Sequence, residues 1–369
     1  MSARPTIRRS LTPTQSAPRP RPAVRDFTAA ATGVRVEWDV RPVYDFFFSL
    51  SGDAGSTDDL PPADRQWLAE ARGSLPEETA ASVGRLFTNE LCINVAGFLV
   101  DHPDVRTSDE LVAALEAAGV AGVMRPIFIG ALQGADRATL VDRYLGGDPT
   151  VLPELEQRIG DWKAEDWRAV LAAPEGTYDE IVAVSRAWAE RFRTIEDRIR
   201  SIVERDHVGR AEARATLSGS DLVEATTGGI RWLPEAGVRR VILAPSYFSR
   251  PYNFVLEGEG WRFFGYPVSD DAVESDDPLA PPQAVVRLHR ALGDETRMRI
   301  LRLLADRDLY LTEIAQLLEL SKPTIKHHLA LLRAAGLVTV TESGALTYYT
   351  LRRTRLDEAS TDLKRFLGA

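Results

Sequence analysis

At 369 residues with 44% apolar side chains, the chain has material for two or three domains and a sizeable core. One cysteine and five histidines exclude an intrachain disulfide framework and a thiolate-rich metal cluster, and the lone thiol, Cys92, suits a reducing cytoplasm without demanding one. The net charge of −9 argues against a uniformly basic nucleic-acid binder, yet Ala284–Ala369 holds 11 Arg and 3 Lys against 10 Asp and Glu, a net +4 that leaves −13 for everything before it.

Residues 1–33 are rich in Pro, Arg, Ser, Thr and Ala and poor in aromatics, the composition of a disordered tail. Its six arginines, from Arg4 to Arg25, suit either a solvated tail or an arm in a DNA minor groove. No apolar segment with a small-residue cleavage pattern occurs there, so the tail does not read as a secretory signal. No apolar run in the chain reads as long enough to span a membrane.

Order is expected to begin at Val34–Asp39. In Pro42–Leu50, Tyr44, Phe47 and Phe48 recur at helical spacing and Phe46 broadens the face, a stripe that fits core, dimer interface or the wall of an effector pocket. Gly52–Pro62 is a loop by composition. The body then reads almost entirely as helix: Pro62–Ala71, Glu77–Val100, Ser108–Ala118, Asp136–Leu145, Pro153–Ala172 and a long span from Thr177 to about Leu217. In that last span Ile181, Val184, Trp188, Phe192, Ile195, Ile199 and Ile202 recur at three and four. Trp162, Trp167 and Trp188 are expected to anchor the packing.

Short apolar-aromatic runs at about 238–266, with Glu257–Gly260 as a hairpin connection, predict a small antiparallel β element. The loop Pro245–Pro251 carries Tyr247, Phe248 and Arg250, which join Tyr44, Phe47 and Phe48 as candidates for an effector pocket or dimer interface. Residues 269–283, acidic and proline-containing, read as a linker. The expected architecture is therefore mainly α: a tail at 1–33, a mostly helical regulatory and dimerisation body at 34–268, the linker, and a C-terminal domain at 284–369.

No catalytic constellation stands out. Paired carboxylates, a histidine beside a nucleophile and metal-binding His/Glu spacing are not found, and the Gly-Gly pairs read as turns rather than a phosphate loop. His102 in Asp-His-Pro-Asp and His207 in a charged helical run read as solvated residues. No enzyme activity, cofactor or metal is expected.

Leu309–Val340 carries the densest pattern. A short apolar-periodic segment with Ile314, Leu317, Leu318 and Leu320 meets a polar break at Glu319–Ser321. A second segment then runs through Ile325, Leu329 and Leu332 to Leu337, followed by two strand-like runs around Glu342–Gly344. Two short helices, a tight turn and a hairpin predict a winged helix-turn-helix, whose second helix enters the DNA major groove. Ser321 is a suitable N-cap and Pro323 falls in the first turn, where its missing N–H costs little. The polar side of the second helix offers Lys322, Thr324, Lys326 and His327, with Arg333 further along. These are donors for base edges or phosphates, although a solvated helix face has the same composition. His328 lies beside the apolar stripe and suits a half-buried structural role as well as a DNA contact. Ser343 in the wing and Arg352 and Arg353 at its exit are candidates for phosphate contact. Arg297 and Arg299 suit either structure or phosphate, and His289 suits helix surface or dimer interface.

The same region resembles the arsenical-resistance-repressor (ArsR) family of bacterial regulators. The resemblance rests on Ala291–Arg297, Arg299–Leu304, Leu311–Ala315, Ser321–Leu329 and Leu332–Val338, within roughly the last quarter of the chain. It implies a homodimer that binds operator DNA as a repressor and releases it with an effector, the recognition helix matching Ser321–Ala334 and the wing Leu337–Leu351. The family's thiol pair would fall on Tyr310 and Thr312, and the last helix, about Asp357–Leu367, has no histidine, so metal sensing is not expected.

The expectation is a cytoplasmic, sequence-specific DNA-binding regulator, an operator-binding repressor answering to a non-metal small-molecule effector through the N-terminal body. The effector would favour a dimer geometry whose recognition helices no longer match half-sites about 34 Å apart. The alternative is a protein-interaction or structural role for a winged helix that no longer binds DNA, a reading that the acidic body and weakly basic wing favour.

Overall fold

The computed structural model describes residues 34–51, 55–87, 91–134, 136–159, 164–273, 279, 281–343 and 346–368. The arginine-rich tail at 1–33 and Trp162 lie outside these. The chain is mostly helical, as its periodicity predicts, and carries a winged helix at its C-terminal end.

Strand β1 (Arg35–Trp38) opens the body, followed by α1 (Val43–Leu50), α2 (Pro62–Gly73), α3 (Glu77–Leu86), α4 (Leu91–Asp101), α5 (Ser108–Ala131) and α6 (Arg137–Leu145). Next come α7 (Leu152–Gln157), α8 (Ala164–Ala172), α9 (Pro174–Phe192), α10 (Glu196–Gly209), α11 (Ala211–Thr216) and α12 (Gly219–Thr227). Four strands close the body: β2 (Ile230–Trp232), β3 (Arg240–Ser246), β4 (Phe254–Gly258) and β5 (Trp261–Pro267). The C-terminal module consists of α13 (Gln283–Leu292), α14 (Glu295–Asp306), β6 (Leu309–Tyr310), α15 (Leu311–Leu318), α16 (Lys322–Ala334), β7 (Val338–Ser343), β8 (Leu346–Leu351) and α17 (Arg353–Leu367).

The long helix expected from Thr177 to Leu217 is three helices. After Phe192 the chain turns through Arg193–Ile195, and the buried Glu196 at the start of α10 accepts the Ser108 backbone N–H at 2.8 Å and the Ser108 hydroxyl at 2.9 Å. A continuous helix could not aim that carboxylate at the first turn of α5, so a tertiary contact overrides a local pattern that reads as unbroken. The span 77–100 likewise divides into α3 and α4, and α5 continues past Ala118 to Ala131 across a non-helical Gly119.

That extension corrects a second expectation. Helix α5 is long and apolar enough, by length and composition, to cross a membrane. Here Leu111, Leu115, Val123, Met124, Ile127 and Phe128 of this helix sit in the protein core.

The small β element is mixed rather than antiparallel. Its order is β1-β3-β5-β4, with β1 and β5 both parallel to β3 and only β4 antiparallel to β5. Parallel pairing requires both faces to be covered, and both are. Ile242, Ala244 and Phe263 face the large helical core; Val241, Leu243, Phe264 and Tyr266 face a second core with Leu222, Val223 and Trp232.

The six aromatic and basic residues expected to form an effector pocket or dimer interface are interior residues. Tyr44, Phe47 and Tyr247 are fully buried, and Phe48, Phe248 and Arg250 are 4% exposed or less. Tyr44 packs at a tilt on Phe263, and Phe47 and Phe48 stack on Phe87 and Phe254, so the stripe packs against other elements instead of lining a surface. Arg250 is paired with Asp270 and stands on the wall of a cleft between the body and the C-terminal module. The two histidines expected to be solvated are half-buried: His102 lies against Phe98, and His207 is wedged between Arg214 and Trp38.

Within the aromatic helix, Asp45 is completely buried. Its carboxyl accepts the Ser246 hydroxyl at 2.6 Å and the backbone N–H groups of Tyr247 and Phe248 at 2.9 and 2.8 Å, which holds the turn after β3. Burial outweighs these three donors and raises its pKa from 3.8 to about 6. The folded protein therefore holds this proton over a window where the unfolded chain has released it, and stability falls as pH rises from about 4 to about 6. Relative to Asp45→Asn, which does not titrate, the wild-type melting temperature should rise as pH is lowered through that window. The gain is at most about 3 kcal/mol, and a pH-independent difference between the two melts would contradict it.

Body and module are joined by both backbone and charge. β2 pairs in parallel with β7, Ile230 opposite Val340 and Trp232 opposite Glu342, so the body adds a fourth strand to the wing sheet, in the order β2-β7-β8-β6. Val340 thereby enters the same core as Trp232 and Phe264. On the other side, Arg287 of α13 pairs with Asp59 and, at 2.9 Å, with Asp270. Asp270 also accepts the Ala284 N–H at 2.7 Å. The acidic stretch read as a linker is therefore, at its beginning, a tied element: Asp270–Ala272 forms a 3-10 turn, and the Ser269 N–H donates to the buried Asp206 at 2.8 Å. Residues 274–278 and 280 of this stretch lie outside the described residues.

Candidate nucleic-acid interface

The recognition segment is built from its caps outward. Helix α15 ends at Glu319, which takes a left-handed conformation (φ 58°) and reverses the chain before Ser321. Ser321 Oγ accepts the Thr324 N–H at 3.3 Å and lies 2.7 Å from the Thr324 hydroxyl, so both side chains hold the first turn of α16. Pro323 occupies that turn, where no intrahelical N–H is needed. Ile325, Leu329 and Leu332 then bury one side against Leu288, Ile300, Leu304, Ile314 and Leu318. Leu317, expected in this stripe, is instead 52% exposed, and Ala315 takes the inward position.

With that side buried, the remaining positions are fixed by the 3.6-residue repeat. Lys322, Thr324, Lys326 and His327 are all exposed, on a face that the body does not cover. His328 is half-buried: its Nδ1 has no hydrogen-bond partner and lies 3.8 Å from Asp294, too far for a hydrogen bond. Burial lowers its pKa, the nearby Asp294 opposing the shift. Its place is between α16 and the start of α14.

The other predicted contacts are dispersed. Arg333, two turns beyond Lys326, is half-buried and lines a cleft between module and body. Arg353 donates to the Ala305 carbonyl at the end of α14, a structural cap that sequence reasoning missed. Arg352 is exposed and lies at the rim of the same cleft as Arg333. Ser343 is the last residue of β7, and its side chain lies outside the described residues. Arg297 donates to the carbonyls of Arg290 and Ala291 and so closes the end of α13, whereas Arg299 and His289 are exposed.

The wing hairpin pairs Val338 with Leu351 through Ser343 with Leu346, and β6 joins it by pairing Leu309 with Tyr349. Tyr310, at one of the two positions where metal-sensing relatives would carry a thiol, packs edge-on against Tyr348. No group of three or more His, Cys, Asp or Glu side chains is gathered for a metal ion among the described residues.

A helix-turn-helix with an outward polar recognition face, buttressed by a three-stranded wing, defines a DNA-binding regulator of the winged-helix class. Comparison with known proteins narrows this. The family described as "Bacterial regulatory protein, arsR family" matches residues 294–340. The transcriptional repressor SdpR of Bacillus subtilis is 35% identical over 79 residues, 21% of this chain and 88% of that protein. The HTH-type transcriptional regulator KmtR of Mycobacterium tuberculosis is 39% identical over 77 residues, 20% of this chain and 59% of that protein. The solved structure of HlyU from Vibrio cholerae N16961 is 32% identical, covering 24% of this chain and 95% of that one, with a TM-score of 0.19. Through its C-terminal module, the chain belongs to the arsR family of bacterial regulatory proteins.

Proposed function

We propose that the protein is an operator-binding transcriptional repressor that acts as a homodimer in the cytoplasm and answers to a small non-metal effector. The observation that carries this reading is the solvent-exposed face of α16, which presents Lys322, Thr324, Lys326 and His327. In this reading Lys326 and His327 contact base edges and Lys322 contacts phosphate. The net +4 of the module is modest, so two copies on one duplex are needed to share the binding free energy.

The surface that supports dimerisation is α17 rather than the aromatic stripe of α1. Leu356 and Phe366 are each 38% exposed and Leu367 is 65% exposed, and their spacing of ten and eleven residues returns them to one side of the helix. Burying that side against a second copy would remove the apolar surface from water. The double variant Leu356→Glu/Leu367→Glu is expected to be monomeric by light scattering while keeping its circular dichroism. A variant that remains dimeric would place the interface elsewhere.

Selection from random duplexes followed by mobility shift at two salt concentrations tests the whole reading. A recovered consensus whose affinity falls steeply with salt is the expected result. No binding at low salt would instead favour a protein-interaction role for the winged helix.

A further inference from the structure

A cleft of about 340 Å³ separates the body from the module, and its wall is cationic. Arg210 and Arg250 come from the body, and Arg287, Arg333, Arg352 and Arg355 from the module, against Glu358 as the carboxylate on the same wall. Several of these arginines are held in place from behind: Arg210 by Asp206, Arg250 and Arg287 by Asp270, and Arg355 by Asp362. A guanidinium fixed in this way is pre-oriented and loses little freedom when it meets a ligand.

Two further groups on the wall have unmet bonding capacity. Thr226 is 4% exposed, and its hydroxyl is buried without a hydrogen-bond partner. Asn253 donates its amide to the Thr227 carbonyl at 2.9 Å, while its buried Oδ1 accepts nothing. A buried polar atom without a partner is costly, and a ligand that bonds both would recover that cost. The end of α12 also meets this cleft, and a helix C-terminus disfavours anions. Its last carbonyls are already engaged, Thr226 by Arg210 and Thr227 by Asn253.

We infer that this cleft is a binding site for a small hydroxylated organic anion of the sugar-phosphate kind, and that it is where the effector of the proposed regulator acts. The anionic group matches the arginines and the Thr226 hydroxyl, and ligand hydroxyls match Asn253 Oδ1. The volume falls near the lower end of the range for small-molecule sites, about 300–1,000 Å³. The module's share of the wall includes Arg333–Gly336, the C-terminal end of the recognition helix and the turn into the wing. A ligand bonded to Thr226 and Asn253 on one side and to this turn on the other touches both bodies at once. Its affinity therefore depends on how they are set, which is the condition for shifting the recognition helix. Arg333 and Arg352 would serve the ligand in preference to the DNA backbone.

The second clause rests on the regulator reading; the first does not, so the two are tested apart. Calorimetric titration of the full-length, DNA-free protein with ribose 5-phosphate, inorganic phosphate and gluconate, at constant ionic strength, tests the site. Saturable binding of at least one of them is expected, with uncharged ribose inert. Thr226→Val and Asn253→Ala should each weaken that binding at least fivefold while the thermal melts stay cooperative, and Arg352→Glu should weaken it further. Absence of binding by all three at 10 mM, or binding indifferent to Thr226→Val and Asn253→Ala, would overturn the assignment. Ligand binding by a protein that selects no duplex would sink the regulator role and leave the site standing. Selective duplex binding with no ligand titration would do the reverse.

Discussion

The Lys326→Ala variant should bind a selected operator roughly 5- to 150-fold more weakly than the wild type, about 1–3 kcal/mol, if Lys326 meets a base edge. Lys326 sits on the exposed face of α16, one turn beyond the Ser321 cap, and its position is held by the burial of Ile325 and Leu329 on either side. Removing a side chain from an exposed helix position leaves the fold intact, so the loss reports on contact with DNA rather than on unfolding. The manner of the loss is also informative. A base contact predicts relaxed preference at one operator position, whereas a phosphate contact predicts uniform weakening and a shallower salt dependence. Mobility shifts on the consensus and on single-base variants, at two salt concentrations, separate these. Affinity unchanged on every duplex would remove α16 from the interface.

The largest stability effect is expected at Arg287. Its guanidinium lies between Asp59 and Asp270, and side-chain exposures of 18%, 7% and 21% show all three groups largely withdrawn from water. Taking away the cation leaves Asp59 a buried carboxylate without this counter-ion, while Asp270 keeps Arg250. Truncating one partner of a buried pair costs about 3–5 kcal/mol, and the retained Arg250 pair puts Arg287→Ala toward the lower end of that range. Because Arg287 belongs to the module and Asp59 to the body, denaturant unfolding of the variant should separate into two transitions. The comparison with Arg287→Met, which restores the aliphatic stem, isolates the charge. A single transition with an unchanged midpoint in both variants would show that this bridge contributes nothing to coupling.

The parts legible from sequence were those whose cause is local. Ser321, Pro323 and the Ile325–Leu329–Leu332 spacing place a capped amphipathic helix without knowledge of anything outside 309–340, and it forms there. The strands near 238–266 were legible for the same reason, but their pairing was not. β1 joins β3 from some 200 positions away, Arg35 opposite Arg240, and nothing within either segment names the other. Asp45 was hidden inside an aromatic stripe, since its role depends on the N–H groups of Tyr247 and Phe248. That Arg250 is paired was not legible, because its counter-ion, Asp270, lies beyond two intervening strands. At the site, the outward face of α16 follows from the helical repeat. The burial of Arg333 at the cleft and the capping by Arg353 follow from how the module sits on the body and on α14, which periodicity does not encode. β2 was missed altogether: three residues are too few for alternation to show.

That short strand bears on how the protein can be dissected. In the intact chain Ile230–Trp232 occupies the outer edge of β7, and Val340 donates its N–H to the Gly229 carbonyl at 2.8 Å. A fragment starting near residue 284 would leave that edge bare, with Val340 facing water, and bare edges recruit strands from other molecules. Excising the last 86 residues would thus yield a self-adhering fragment instead of a miniature regulator, unless Ile230–Trp232 were grafted back or the edge were blocked with a charge.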